Sequence, residues 1–225
     1  MSRLHNTIST VTKMVGFSIV FTLIMASVYE HTKSKIHSNA QYETRTLLHD
    51  LTQGIASDGD PIRNSYQKPA TEELGTKIPQ TVYPIFYHNK PNAVVFSIRA
   101  PDGYGGPINA MIAIEYSGKI IGIRVLSHKE TPGLGDYIDG KHGAFSYQWI
   151  RQFQQRSFSS SSQQNWKVKK DGGTFGYMAG ATISPRALIK AVSKALKYYN
   201  SNRDNFFYPK KGMQHSGTKT IRDSL

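Results

Sequence analysis

AVVFSIRAPDGYGGPINAMIAIEYSGKIIGIRVLS, residues 93–127, carries the clearest fold signal in this chain. Apolar and β-branched residues fill three runs, at 93–100, 108–116 and 119–127. Turn formers separate them: Pro101-Asp102-Gly103-Tyr104-Gly105-Gly106 and then Ser117-Gly118. Strands joined by such short links pair antiparallel, so the stretch predicts a meander. Ile112 and Ile114 alternate in the second run, and Ile121, Ile123 and Val125 do so in the third. A period of two puts each set on one side of the sheet and predicts a sheet with one covered face.

Downstream segments supply the cover. Residues 140–153 place Phe145, Trp149, Ile150 and Phe153 on one helical stripe, and Leu188, Val192, Leu196 and Tyr199 form another. Apolar residues at that spacing predict helices packed on the sheet, which makes the fold class α+β: an antiparallel sheet covered by helices. Between them, residues 157–164 (SFSSSSQQ) read as a solvated polar loop.

Upstream, Leu47, Leu48, Leu51 and Ile55 give residues 41–56 the pattern of an amphipathic helix, ended by Ser57-Asp58-Gly59-Asp60-Pro61. Residues 57–92 read as a long connection with one short strand at 81–87. Before these, MVGFSIVFTLIMASVY at 14–29 has no charged residue and, extended across Lys13, approaches the ~20 residues that cross a bilayer. A removable signal peptide shares the basic start at Arg3 and Lys13, but Ala26-Ser27-Val28-Tyr29-Glu30 puts bulky residues where a cleavage site needs small ones. The reading is a retained single transmembrane helix over residues 1–30, a helical and irregular connection over 31–92, one folded domain over 93–199, and a basic flexible tail over 200–225.

Composition excludes several functions. The absence of cysteine removes disulfides, thiolate metal sites, iron–sulfur clusters and cysteine nucleophiles, so any redox chemistry needs an organic cofactor. The eight histidines form no H-E-x-x-H pattern and there is no G-x-S-x-G elbow, which argues against hydrolase chemistry, and no metal site is expected. A net charge of +13 suits nucleic acid, an anionic membrane or an acidic partner. The basic residues are spread along the chain with no arginine-rich helix, so nucleic acid is not an expected partner.

The chemistry-bearing stretch is DGGTFGYMAGATISPRALIK, residues 171–190. Ser184 suits an N-cap and Pro185 a first helical position, so a helix is predicted to start there. Its unpaired N–H groups would face Gly180-Ala181-Thr182, a small-residue site open to phosphate, with a hydroxyl at hand. An ordinary loop-to-helix junction has the same ingredients. A second segment, His128-Lys129-Glu130-Thr131-Pro132-Gly133-Leu134-Gly135-Asp136, suits a loop lying along a planar ring, or simply a tight turn.

The segments HKETPGLGDYI, WKVKKDGGTF and AGATISPRALIKAV, in this order and spacing, closely resemble the FMN-binding domain of the G subunit (RnfG/RsxG) of the Rnf/Rsx ion-translocating electron-transport complex. More distantly they resemble the corresponding FMN-carrying component, NqrC, of the Na+-translocating NADH:quinone reductase. The resemblance covers residues 93–199, and the anchor and leading helix agree in layout. It implies an electron-transfer subunit of a membrane-bound oxidoreductase. A flavin transferase would join FMN covalently, through its phosphate, to Thr182, and the phosphate charge would rest on N–H groups near Ile183 and Ser184, beside Gly180 and Ala181. Glu130, Thr131, Gly133 and Leu134 are then expected beside the isoalloxazine, with Lys169 near the flavin or phosphate. No catalytic acid or nucleophile is implied. The expected partners are the other membrane and peripheral subunits, the transferase and membrane lipid. The expected location is the bacterial inner membrane, with the domain on the periplasmic side. Two departures stand out: Ala179 where the family has Ser or Thr, and Gly176 where it has aspartate. They keep open an accessory subunit without flavin, beside a membrane-anchored sensor that binds an anion without redox chemistry.

Overall fold

The computed structural model describes residues 2–158 and 165–209, with side chains throughout except at 2–6 and 34–41. Most of the polar loop, residues 159–164, and the end of the expected tail, residues 210–225, lie outside the described residues.

Helix α1 (Ser2–Leu51) opens the chain. No proline precedes Pro61 and only Gly16 interrupts the helix formers, so nothing in the sequence breaks it. Within it Thr7–Lys33, 27 residues, is long and apolar enough to cross a membrane. At 1.5 Å per residue it reaches roughly 40 Å, more than the ~30 Å of a hydrocarbon core. Three of its threonine hydroxyls are satisfied internally: Thr12 donates to the Ile8 carbonyl, Thr22 to that of Ser18 and Thr32 to that of Val28. That removes most of the penalty these three groups would incur in lipid.

The chain divides into two compact units, one up to Thr46 and the other from Leu47 onward. The second is built on five antiparallel strands in sequential order: β1 (Tyr66–Lys68), β2 (Gln80–Tyr87), β3 (Lys90–Ala100), β4 (Ile108–Glu115) and β5 (Ile120–Ser127). The meander is therefore longer than residues 93–127. Its first long hairpin turns at His88-Asn89, both with positive φ (50° and 58°), the two-residue turn that matches strand twist. Pro84 pairs with Val94 of β3 but sits past the end of β1, so on that side of β2 no strand needs an N–H from it.

One face of the sheet, through Val94, Phe96, Ile98, Ile108, Ala110, Ile112 and Ile114, packs in the main core with Leu188, Val192, Leu196 and Tyr199 of α3 (Ile183–Ser201). Trp149 and Phe153, from α2 (Gly143–Arg151) and the turn after it, complete that core. Phe145 departs from the predicted stripe: it is 45% exposed and meets the core through Tyr137. The other face is covered as well. Leu48 and Leu51 from the end of α1 pack with Ile85, Ala93, Val95, Met111 and Ala113. The expectation of a single covered face is corrected accordingly.

The period-two reading of β5 also fails at one residue. A bulge lies between Ala113 and Ile114 against Gly122 and Ile120, which moves Ile121 to the second face while Ile120, Ile123 and Val125 stay in the main core. An extra residue in one strand shifts every side chain before it to the opposite face.

Regular structure extends beyond residues 93–199 on both sides. Residues 57–92 contribute β1, β2 and the start of β3. After α3 the chain forms α4 (Arg203–Phe207), whose Phe206 and Phe207 are 0% and 4% exposed. The Tyr66 hydroxyl donates to the carbonyls of Asn205 (3.0 Å) and Phe206 (3.2 Å), and burial raises its pKa. Buried Lys68 lies over the Phe206 ring at 4.7 Å, its pKa lowered by burial. Two adjacent aromatics offer too much apolar area to leave in water, so this part of the expected tail closes the core.

Candidate functional site

The loop after β5 is organised around a buried carboxylate. Glu130 is 5% exposed, and its Oε1 accepts the Gly105 N–H at 3.2 Å while its Oε2 accepts the Ser184 hydroxyl. One side chain thus ties three segments together: the 101–106 loop, its own loop and the start of α3. A buried carboxylate without donors would cost several kcal/mol, and these bonds offset that cost. Gly135 fits beneath it because a Cβ there would lie 2.8 Å from Ser184 Oγ and 2.9 Å from Glu130 Oε2.

Behind this loop a 3₁₀ turn, Gly135–Asp139, buries Tyr137 and two aspartates. The Tyr137 hydroxyl accepts the Met178 N–H (3.2 Å) and donates to the Ala181 carbonyl (3.1 Å), fixing the glycine-rich segment from below. Burial pushes its pKa up to about 12, partly offset by the Met178 N–H. Asp136 Oδ2 accepts the Gly133 N–H at 3.0 Å. Burial works against ionised Asp139, but the Lys141 N–H and His142 outweigh it and hold its pKa below the usual value.

Helix α3 starts earlier than predicted. Thr182 occupies the N-cap, with φ −97° and ψ −16°, and its side chain makes no capping hydrogen bond. Ser184 is not the cap: it lies inside the first turn and donates its hydroxyl to Glu130. The Thr182 hydroxyl instead accepts from Arg186 Nη1 at 3.4 Å. Gly180 precedes it with φ +85° and no atom within 4 Å of a built Cβ. The segment's need for glycine is conformational, not steric as a crowded approach would be.

These segments enclose a cavity of about 350 Å³ lined by Tyr104, Glu130, Thr131, Leu134, Gly135, Gly180, Ala181, Thr182, Ile183 and Ser184. Its apolar lining is unusually exposed: Tyr104 69%, Leu134 47% and Ile183 45%. Large apolar side chains around a concave site with a few polar groups are what a planar ligand needs. Of the residues expected around the cofactor, Glu130, Thr131, Leu134, Gly180, Ala181, Thr182, Ile183 and Ser184 all meet here. Gly133 stands beside the lining without joining it. Lys169 is not part of the lining; it is exposed on a second 3₁₀ turn, Lys169–Asp171. Among the described residues no cluster suits a metal ion.

Sequence reasoning missed Tyr104 and Arg186. An aromatic flanked by glycines in an exposed loop was the available signal for Tyr104. Arg186 follows Thr182 by four residues, the spacing that stacks side chains on one helical face.

The FMN-binding domain family matches residues 103–197, a span that holds the entire cavity lining. The G subunit of the ion-translocating oxidoreductase complex of Shewanella amazonensis is 38% identical over 192 residues, covering 85% of this chain and 87% of that protein. The chain belongs to the family of G subunits of ion-translocating oxidoreductase complexes. Other relatives are the G subunit from Pseudomonas aeruginosa PAO1, 37% identical over 201 residues with 88% and 91% covered, and that from Vibrio cholerae, 36% identical over 189 residues with 83% and 87% covered. The similarity to these relatives extends well beyond the FMN-binding domain.

Gly180→Val tests the glycine-rich segment of this family member. Positive φ costs a β-branched residue roughly 1–2 kcal/mol, so the melting temperature should fall by roughly 2–8 °C. Gly180→Asn, which tolerates that conformation, should stay near wild type. Equal melting temperatures for all three would contradict the backbone argument.

Proposed function

We propose that this chain is the FMN-carrying electron-transfer subunit of a membrane-bound ion-translocating oxidoreductase, with FMN joined through its phosphate to Thr182. The observation that carries the reading is the hydroxyl of Thr182 at the first turn of α3, opening onto a cavity with an apolar rim. A nucleotide attached there has its phosphate beside the free N–H groups of the helix start and its ring within reach of Tyr104, Leu134 and Ile183. Polar and apolar needs of a flavin are therefore met by adjacent parts of one site.

The bound flavin would supply reversible electron uptake and release. The chain's own residues hold and shield it: Glu130 locks the loop to α3, Tyr137 supports Ala181, and Leu134 and Ile183 keep water from the ring. No acid, base or nucleophile is required for electron transfer. Helix α1 anchors the domain. The domain is proposed to face the periplasm from the inner membrane, among other membrane and peripheral subunits and lipid, after a flavin transferase has acted.

Purified chain coexpressed with a flavin transferase should keep a yellow flavin spectrum after denaturation and gel filtration, and reductant should bleach it reversibly. Colourless chain would favour a membrane-anchored sensor that binds an anion without redox chemistry, or an accessory subunit without flavin. Ala179 is exposed, and the Gly176 amide is held by Gln152 Oε1 at 2.7 Å, so both departures from the family pattern leave the Thr182 hydroxyl in place.

A further inference from the structure

We infer that Arg186, held in position by Asp171, is the side chain that receives the phosphate attached to Thr182; the inference rests on the covalent reading above. Arg186 Nε and Nη2 each donate to one Asp171 oxygen at 2.6 Å, a paired arrangement that fixes the guanidinium plane. The remaining terminal nitrogen, Nη1, then points to Thr182 Oγ1 at 3.4 Å. Thr182 sits at the N-cap yet leaves the helix N–H groups without a side-chain cap, so its oxygen and those donors remain available to the same anion. Two independent features converge: open N–H donors and an aimed cation.

The pair is also electrostatically consistent. Arg186 lowers the Asp171 pKa, with lesser help from Lys167 and Lys170, and Asp171 in turn raises that of Arg186. Asp171 stays ionised down to below the ordinary carboxylate range, so the guanidinium is positioned throughout neutral pH. Three cations therefore surround one carboxylate, which leaves positive charge for a further anion. Lys169 shares the turn with Asp171, but the hydrogen bonds single out Arg186.

Attachment breaks the Thr182 Oγ–H bond and the P–O anhydride bond of an activated flavin phosphate, and forms an O–P bond from Thr182 to the flavin phosphorus. The proton and the donor's leaving group depart, and one negative charge stays on the non-bridging oxygens. Arg186 Nη1 is placed to hold that charge, and Asp171 keeps it from swinging into solvent.

The test compares wild type, Arg186→Ala, Arg186→Lys, Asp171→Asn and, as a control ion pair on the same helix, Lys190→Met, whose partner is Asp102 at 2.5 Å. Each is incubated as full-length chain with purified flavin transferase and its flavin donor, and the modified Thr182 peptide is followed by mass spectrometry. Losing a charge-assisted bond to phosphate should slow loading of Arg186→Ala by about tenfold or more, with Lys intermediate and Asp171→Asn within about threefold of wild type. Among loaded proteins, the phosphorus NMR resonance should move in Arg186→Lys and not in Lys190→Met. Unchanged loading of Arg186→Ala overturns the inference. Equal losses in Arg186→Ala and Asp171→Asn, with a fixed phosphorus resonance, overturn it in favour of a structural brace. A wild-type chain never modified at Thr182 sinks the covalent reading along with it.

Discussion

Thr182→Ala is expected to abolish denaturant-resistant flavin while leaving a folded chain. The two consequences separate because of how the side chain is held. Thr182 is partly buried, caps nothing, and has Arg186 Nη1 at 3.4 Å as its side-chain partner. An N-cap threonine that bonds to its helix costs about 1 kcal/mol to remove, but no such bond exists here, so the stability change should stay within about 0.5 kcal/mol. Loss of colour then reports chemistry and not unfolding. Thermal melts of the unloaded proteins give the control. A Thr182→Ala chain that still carries attached flavin would place the acceptor elsewhere.

Phe206→Ala carries the largest expected stability loss, about 3–5 kcal/mol, as for other fully buried aromatics. Phe206 packs near Phe96 (4.7 Å), Tyr198 (5.9 Å) and Tyr199 (5.5 Å), and underlies the Lys68 ammonium. Removing it opens a void between β3, α3 and β1 and strips the buried lysine of its nearest aromatic face. Chemical denaturation should show a lower midpoint with little change in slope. A cost under about 1 kcal/mol would mean that α4 does not close the core.

That second result bears on what the sequence could reveal. The strands of 93–127 and the stripe of α3 were legible because their apolar residues repeat at one period over many positions. The strand at 81–87 was legible too, as β2 (Gln80–Tyr87), but its pairing was not: His88-Asn89 lacks the glycine that usually marks a two-residue turn, and β1 is three residues long. Phe206 and Phe207 sit among Asn, Arg and Asp, so composition outweighed two aromatics. The β5 bulge is invisible to any strict alternation, because it is defined only by its partner strand.

The site divides in the same way. The loop after β5 and the start of α3 could be paired from sequence, since both carry glycines beside polar groups and their order matches a family pattern. The bond that joins them, Ser184 to Glu130, spans 54 residues and has no local signature. Ser184 therefore looked like a cap when its hydroxyl serves the carboxylate. The family resemblance points to Lys169 and gives no sign of Arg186; only geometry distinguishes an exposed lysine on the 3₁₀ turn from a guanidinium braced beside Thr182.

The most direct measurement is the mass of the proteolytic peptide containing Thr182, taken from wild-type chain made with its flavin transferase. Phosphate-linked FMN adds roughly 440 Da to that peptide, and fragmentation should assign the addition to Thr182. The unmodified peptide mass, or the same addition on another residue, would contradict the account.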